Sequence, residues 1–170
     1  VTLLLGPTSR RSYGQNQRSI FSFLGSPEIF GFQDYLKKAS FESQGEYKLN
    51  DLWDYLEQNL QASIAVSLDS HHFTNARDAI SRWEARGGRD LGVELLKSIA
   101  LLELTQKQTG IGAAFDVLAL ATNETSENVK AALSDLELAS IIVFRKFRGT
   151  YTLFDGSDFD IEAALEEALR

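Results

Sequence analysis

AAFDVLALATNETSENVKAALSDLELASIIVFRKFRGTYTLF, residues 113–154, is the stretch that decides the fold. Its first nine residues, 113–121, read as a short apolar helix. Asn123, Glu124 and Thr125 make a turn. Residues 126–138 form an amphipathic helix, with Val129, Ala132, Leu133, Leu136 and Leu138 grouped at helical spacing. The period then changes from helical to alternating. Residues 141–147 and 150–154 carry β-branched and aromatic side chains, and Arg148-Gly149 joins them as a two-residue link whose glycine can take positive φ. Helix, turn, helix and hairpin after an earlier helix is the layout of a winged helix-turn-helix. That layout does not fix a function.

Upstream of this stretch the chain reads as helices. Asp90 caps a helix over 91–104, in which Leu91, Leu95, Ile99 and Leu102 make a core-facing stripe. Residues 105–112 (TQKQTGIG) read as a flexible loop. Gly87-Gly88 is a helix stop and the expected boundary between two units, a helical lid-like unit over 1–88 and a winged-helix domain over 89–170. Within the first unit, residues 74–85 carry Ala76, Ile80 and Trp83 on one face, with Phe73 just ahead of them. Residues 69–72 break the pattern. Asn50 is the expected N-cap of a helix over 51–60, extendable to residue 65, with Leu52, Leu56 and Leu60 on one stripe. Ser26 and Pro27 suit the N-cap and first position of a helix over 28–38, which Gly31 weakens. Residues 15–24 fit a helix burying Ile20, Phe21, Phe23 and Leu24. Residues 1–5 are apolar, 8–14 a polar loop and 40–48 a polar connector. At the far end 155–158 turns, and Asp160 caps a last helix over 161–169. The fold class is therefore mainly α, a helical bundle followed by a winged helix-turn-helix with a C-terminal β-hairpin.

Composition narrows the function. The formal net charge is −7, and its distribution is uneven. Residues 1–90 hold ten basic and eleven acidic side chains, and residues 91–170 hold seven and thirteen. A nucleic-acid module normally carries the opposite sign, because Lys and Arg must replace the counterions on phosphate. The acid-rich half is the half with the winged-helix pattern, which disfavours nucleic acid as the main partner. Cysteine is absent, which removes disulfides and thiolate metal sites. No apolar run approaches the roughly 18 residues of a membrane helix, and residues 1–5 lack the features of a signal peptide. A cytoplasmic protein with no membrane partner is expected. The chain begins at Val and contains no Met, as expected of a piece cut from something longer.

No catalytic constellation stands out. The sequence has no Gly-x4-Gly-Lys-Ser/Thr loop to cradle a triphosphate. His71 and His72 are the only imidazoles, read as part of a solvated loop without the spacing of a metal site. Asp155, Asp158 and Asp160 fail the calcium-loop pattern, since Phe159 and Asp160 stand where a ligand and a glycine are needed. No metal, no cofactor and no enzymatic activity are expected of this chain by itself. Two cationic groups remain. Arg145, Lys146 and Arg148 either belong to a solvated or protein-facing hairpin or are candidates for phosphate or DNA contact. The helix over 126–138 opposes duplex reading, because its early positions offer Glu127 and a single Lys130. Arg10, Arg11 and Arg18 surround Gln15-Asn16-Gln17, which reads either as a polar helix start or as a cationic surface facing a nucleotide held elsewhere.

Two strings carry a family resemblance. RRSYGQNQRSIFSFLGSPEIFGFQDYL (residues 10–36) resembles a segment downstream of the P-loop core in large bacterial ATPases of the AAA+/STAND type, and ASIIVFRKFRGTYTLFDGSDFDIEAAL (residues 139–165) is similar to a recurring hairpin in the same proteins. The resemblance implies a lid-like helical unit and a winged helix lying after a nucleotide core, with switching roles, in cell defence among others. It marks Gln15, Asn16 and Arg18 as nucleotide-sensing positions, and Arg148, Gly149 and Tyr151 as shaping the hairpin. ATP would then belong to the parent protein, whose upstream P-loop core, or another protein, is the expected partner. The function so implied is a non-catalytic regulatory or interaction region. The alternative is a DNA-binding winged-helix transcriptional regulator.

Overall fold

In the computed structural model, which describes residues 20–39 and 45–155, seven helices precede one two-stranded antiparallel sheet. The helices are α1 (Ile20–Gly25), α2 (Phe32–Lys38), α3 (Leu49–Ala65), α4 (Ser70–Glu84), α5 (Asp90–Thr109), α6 (Phe115–Thr122) and α7 (Ser126–Leu138). The strands are β1 (Ile142–Arg145) and β2 (Thr150–Leu153), in the register Ile142↔Leu153 to Arg145↔Thr150. The readings over 1–5, 8–14, 15–19, 40–44 and 156–170, including the helix expected after Asp160, lie outside the described residues. Among the described residues no helix is long and apolar enough to cross a membrane.

The core is mainly aliphatic, with Trp53, Phe73 and Trp83 among its buried rings, and is centred on α5. Leu95, Leu96, Ile99, Ala100, Leu101 and Leu102 are all buried there, too many for one stripe, because α5 packs against α3, α4, α6, α7 and β2 together. The hydrophobic effect therefore places this helix inside, with neighbours on several sides. Ion pairs and polar bonds fasten the layers at their edges. Lys97 Nζ lies 2.7 Å from Asp54 Oδ1, joining α5 to α3. Arg77 Nε donates to Glu57 Oε2 at 2.7 Å, joining α4 to α3. Lys48 Nζ donates to the carbonyl of Thr122 at 3.0 Å.

Several expected boundaries move, each for a local reason. The helix expected over 28–38 begins at Phe32, because Phe30 adopts φ 60° and a turn closes from the Gly31 N–H to the Glu28 carbonyl. Gly31, not Ser26, is the N-cap. Its added Cβ would lie 2.9 Å from the Glu28 carbonyl oxygen, so the close turn needs glycine there. α3 begins at Leu49 with Lys48 as the cap residue, so Asn50 sits inside the first turn. The Lys48 N–H donates to Asp51 Oδ2 at 2.8 Å, which makes Asp51 the group that satisfies the helix start. Residues 70–72 are helical, and the break falls earlier, over 66–69, where Ser67 Oγ donates to the Ile64 carbonyl and accepts from the Asp69 N–H. The expected loop over 105–112 is helical through Thr109. Thr105 is buried with Oγ1 bonded to the Leu101 carbonyl at 2.8 Å, and Gly110 ends the helix at φ 71°.

The decisive stretch comes close to expectation. Asn123 closes α6 in the left-handed region, and the Thr125 side chain accepts the Asn128 N–H at 3.3 Å to open α7. α7 buries Val129, Ala132, Leu133 and Leu136. Leu138, expected on the same stripe, is 83% exposed, because it falls off the three-and-four spacing of the other four. The strands are shorter than expected, and four residues (146–149) join them in place of two. Arg145 pairs with Thr150, and the Gly149 N–H bonds to the Arg145 carbonyl at 2.9 Å. Gly149 takes φ 62°, the conformation for which it was singled out. The sheet is held to the helices by the Tyr151 N–H, which donates to the Ala113 carbonyl at 2.9 Å.

Candidate functional site

Folding α4 as a helix from Ser70 brings the two histidines against the hairpin. A cleft of about 430 Å³ opens between the start of α4, the second half of α5 and the two strands. α4 contributes His71, His72 and Asn75, and α5 contributes Glu103. The hairpin adds Arg145, Phe147, Arg148, Thr152 and Leu153, and Asp155 follows it. Its volume is in the range of small-molecule sites, while its lining is mainly polar.

The polar groups are held to different degrees. His72 Nε2 lies 2.7 Å from the Ala100 carbonyl oxygen. A carbonyl only accepts, so this nitrogen carries the proton. His71 is exposed, with Nε2 4.0 Å from Asp155 Oδ2. Glu103 Oε2 accepts the Leu153 N–H at 3.5 Å, a long bond that ties the α5 carboxylate to the strand. The Oγ1 of Thr152 is sealed from solvent and has no protein partner among the described residues. Arg148 and Phe147 project at the turn of the hairpin, with Phe147 79% exposed. No carboxylate among the described residues lies within ion-pair distance of Arg148.

The hairpin's second feature is a pair of aromatic rings. Phe144 and Tyr151 face each other across the strands at 4.9 Å. Burial, helped by the negative charge of Glu137, raises the Tyr151 hydroxyl above its ordinary value. The phenol therefore stays protonated at neutral pH.

The outer side of α7 is acidic. Glu127, Asp135 and Glu137 are exposed along it, against one exposed cation, Lys130. Glu124, just ahead of the helix, accepts from Asn128 Nδ2 at 3.0 Å. Asp135 pairs with Arg89 at 2.7 Å, and Arg86 Nη1 donates to the Ala139 carbonyl at 2.6 Å. Both arginines come from the turn between α4 and α5, so that turn grips the end of α7.

Of the residues singled out by sequence, Arg145 and Arg148 line the cleft. Lys146 is exposed between them and is not among the lining residues. Gln15, Asn16 and Arg18 lie outside the described residues. His71 and His72, read as a loop, sit on a helix. Asn75, Glu103 and Thr152 were not singled out. A signal for Asn75 existed, since His71 and Asn75 are four apart and share a face once 70–75 is taken as helical. Among the described residues no three His, Asp or Glu side chains are grouped to hold a metal ion. No family model matches the chain, and neither a curated protein nor a solved structure matches it.

Proposed function

We propose that the chain is a non-catalytic regulatory and interaction region of a bacterial P-loop ATPase, working in the cytoplasm. In this proposal residues 1–88 serve as a nucleotide-response lid, and 89–170 as a winged helix that contacts protein. One observation carries it: α7, which would be the reading helix of a winged helix, bears Glu127, Asp135 and Glu137 outward, while apolar side chains around it stand uncovered. Leu120 is 81% and Leu138 83% exposed. An acidic helix repels phosphate, whereas exposed leucines suit a protein neighbour. The resemblance carried by the strings at 10–36 and 139–165 supports a P-loop core lying upstream as that neighbour. Arg18, with Gln15 and Asn16, then reports the γ-phosphate through charge-assisted hydrogen bonds. In the full-length ATPase, Arg18→Ala alters the response to ATP without unfolding this region. Unchanged ATP affinity and turnover would remove the sensor role.

A second reading, a DNA-binding transcriptional regulator, draws on one feature, the hairpin turn with Arg145, Lys146 and Arg148 and no acid between them. It requires salt-dependent duplex binding that falls when the three are neutralised. A gel-shift titration with no complex at low salt disposes of it.

A further inference from the structure

We infer that the cleft between α4 and the hairpin is a binding site for a single nucleoside phosphate. This inference is independent of the ATPase assignment, because it concerns only side chains of this chain. Three features of the cleft favour that ligand.

The first is the exposed guanidinium at the rim. Arg148 projects from the hairpin turn with no carboxylate within ion-pair distance among the described residues, and Arg145 lines the same cleft. A guanidinium presents a planar fork of donors that matches two phosphate oxygens. His71 stands across the cleft as a further donor.

The second is the exposed ring. Phe147 lies between the hairpin cations in sequence, lines the cleft and is largely in solvent. A phenyl face beside a phosphate-binding arginine is a stacking platform for a base. The volume of about 430 Å³ fits a base, sugar and phosphate, and greatly exceeds what an inorganic ion fills.

The third is the mixed sign of the lining. Glu103 and Asp155 bring two carboxylates into the cleft beside the two arginines. A groove that tracks a nucleic-acid backbone is uniformly cationic, and these acids would repel successive phosphates. They tolerate one phosphate placed at the rim. Asn75, on α4, brings an amide into the cleft for the polar edge of a base or sugar. The chemistry therefore points to a free nucleotide over a strand.

Isothermal titration of the whole chain tests this with the four ribonucleoside 5′-monophosphates, inorganic phosphate and a ten-nucleotide single strand. At least one monophosphate should bind one to one, at least about tenfold tighter than inorganic phosphate. Arg148→Gln should weaken it about tenfold by removing the charge-assisted bonds. Phe147→Ala should weaken it about fivefold by removing the stack. Both side chains are exposed, so melting temperatures should stay unchanged and report that the variants are folded. The inference is overturned if no monophosphate saturates by about 5 mM, or if inorganic phosphate binds equally well. It is also overturned if both variants bind as the wild type does, or if the strand binds and the monophosphates do not.

Discussion

The two ends of the described chain are held together by different chemistry. Around α5, α6, α7 and the hairpin the packing is aliphatic: Leu95, Ile99, Leu118, Leu133, Leu136 and Ile141 are buried without a polar atom among their side chains. Around α1, α2 and the start of α3 it is aromatic. Phe23 meets the Tyr55 ring edge-on at 4.9 Å, and Tyr35 meets Tyr47 at 5.5 Å. Hydroxyls there reach for backbone and carboxylate. Tyr47 Oη lies 2.7 Å from the Phe30 carbonyl, and the Tyr55 hydroxyl donates to Glu28 Oε2 at 2.7 Å. Burial pushes the Tyr47 hydroxyl far above its ordinary range, so it remains a donor. Aliphatic packing is set by periodicity and spreads stability over many contacts. The aromatic corner depends on a few directed bonds and should loosen locally when one is lost.

The largest effect should come from the aliphatic side. Leu95→Ala removes a fully buried side chain from the helix that all the layers share, and should cost about 3 kcal/mol. Urea denaturation should show it, and amide exchange should speed up in α3 and α7 alike. A loss confined to α5 would mean that the layers do not fold as one.

Next is the seam between α4 and α5. An added Cβ at Gly92 would lie 2.3 Å from Trp83 Nε1, whose N–H donates to the Arg89 carbonyl at 3.0 Å. Gly92→Ala should therefore displace the indole and cost about 2 kcal/mol, within the range for overpacking. The Trp fluorescence spectrum should shift with it. A variant as stable as the wild type, with unchanged fluorescence, would show that the seam has slack.

Smaller and local is Tyr47→Phe, which keeps the ring and removes one hydroxyl. It should cost about 1 kcal/mol and speed exchange in α2 and the first turn of α3, leaving α6 and α7 unchanged. Global loosening would contradict the difference drawn between the two ends.

The smallest effect concerns Asp51. Burial raises its carboxyl above the ordinary value, with Asp54 acting in the same direction and the Lys48 N–H bond opposing. A carboxyl raised in the folded state works against folding above its folded pKa, and that penalty vanishes below the unfolded value. Asp51→Asn keeps an acceptor for the Lys48 N–H and removes the charge. It should match or slightly exceed wild-type stability at pH 7, and the difference should shrink as pH falls toward the ordinary carboxylate range. A variant clearly weaker at pH 7 and equal at low pH would reverse the sign.

How much was legible follows the same division. α7 and the hairpin could be read because leucine spacing and β-branched alternation are local signals. The starts of α2 and α4 could not. Phe30 in the left-handed region is held by Gly31 and by Asp34, which accepts its N–H at 3.0 Å, and no pattern announces such a turn. Residues 105–109 are polar and read as a loop, yet buried Thr105 keeps them helical by bonding back to Leu101. The cleft was hidden for the same reason. Its helical side chains come from the two segments whose ends were misjudged, and its hairpin cations were read without the helices that face them.

The central proposal is that the helix–helix–hairpin unit is covered by protein in a longer P-loop ATPase. Hydrogen exchange, compared between this chain by itself and the longer protein so proposed, tests it most directly. The account predicts slower exchange in the full-length protein at amides flanking Leu120, Leu138 and Phe147, and a further change there when ATP is added. Identical rates at those amides, with and without ATP, would contradict it.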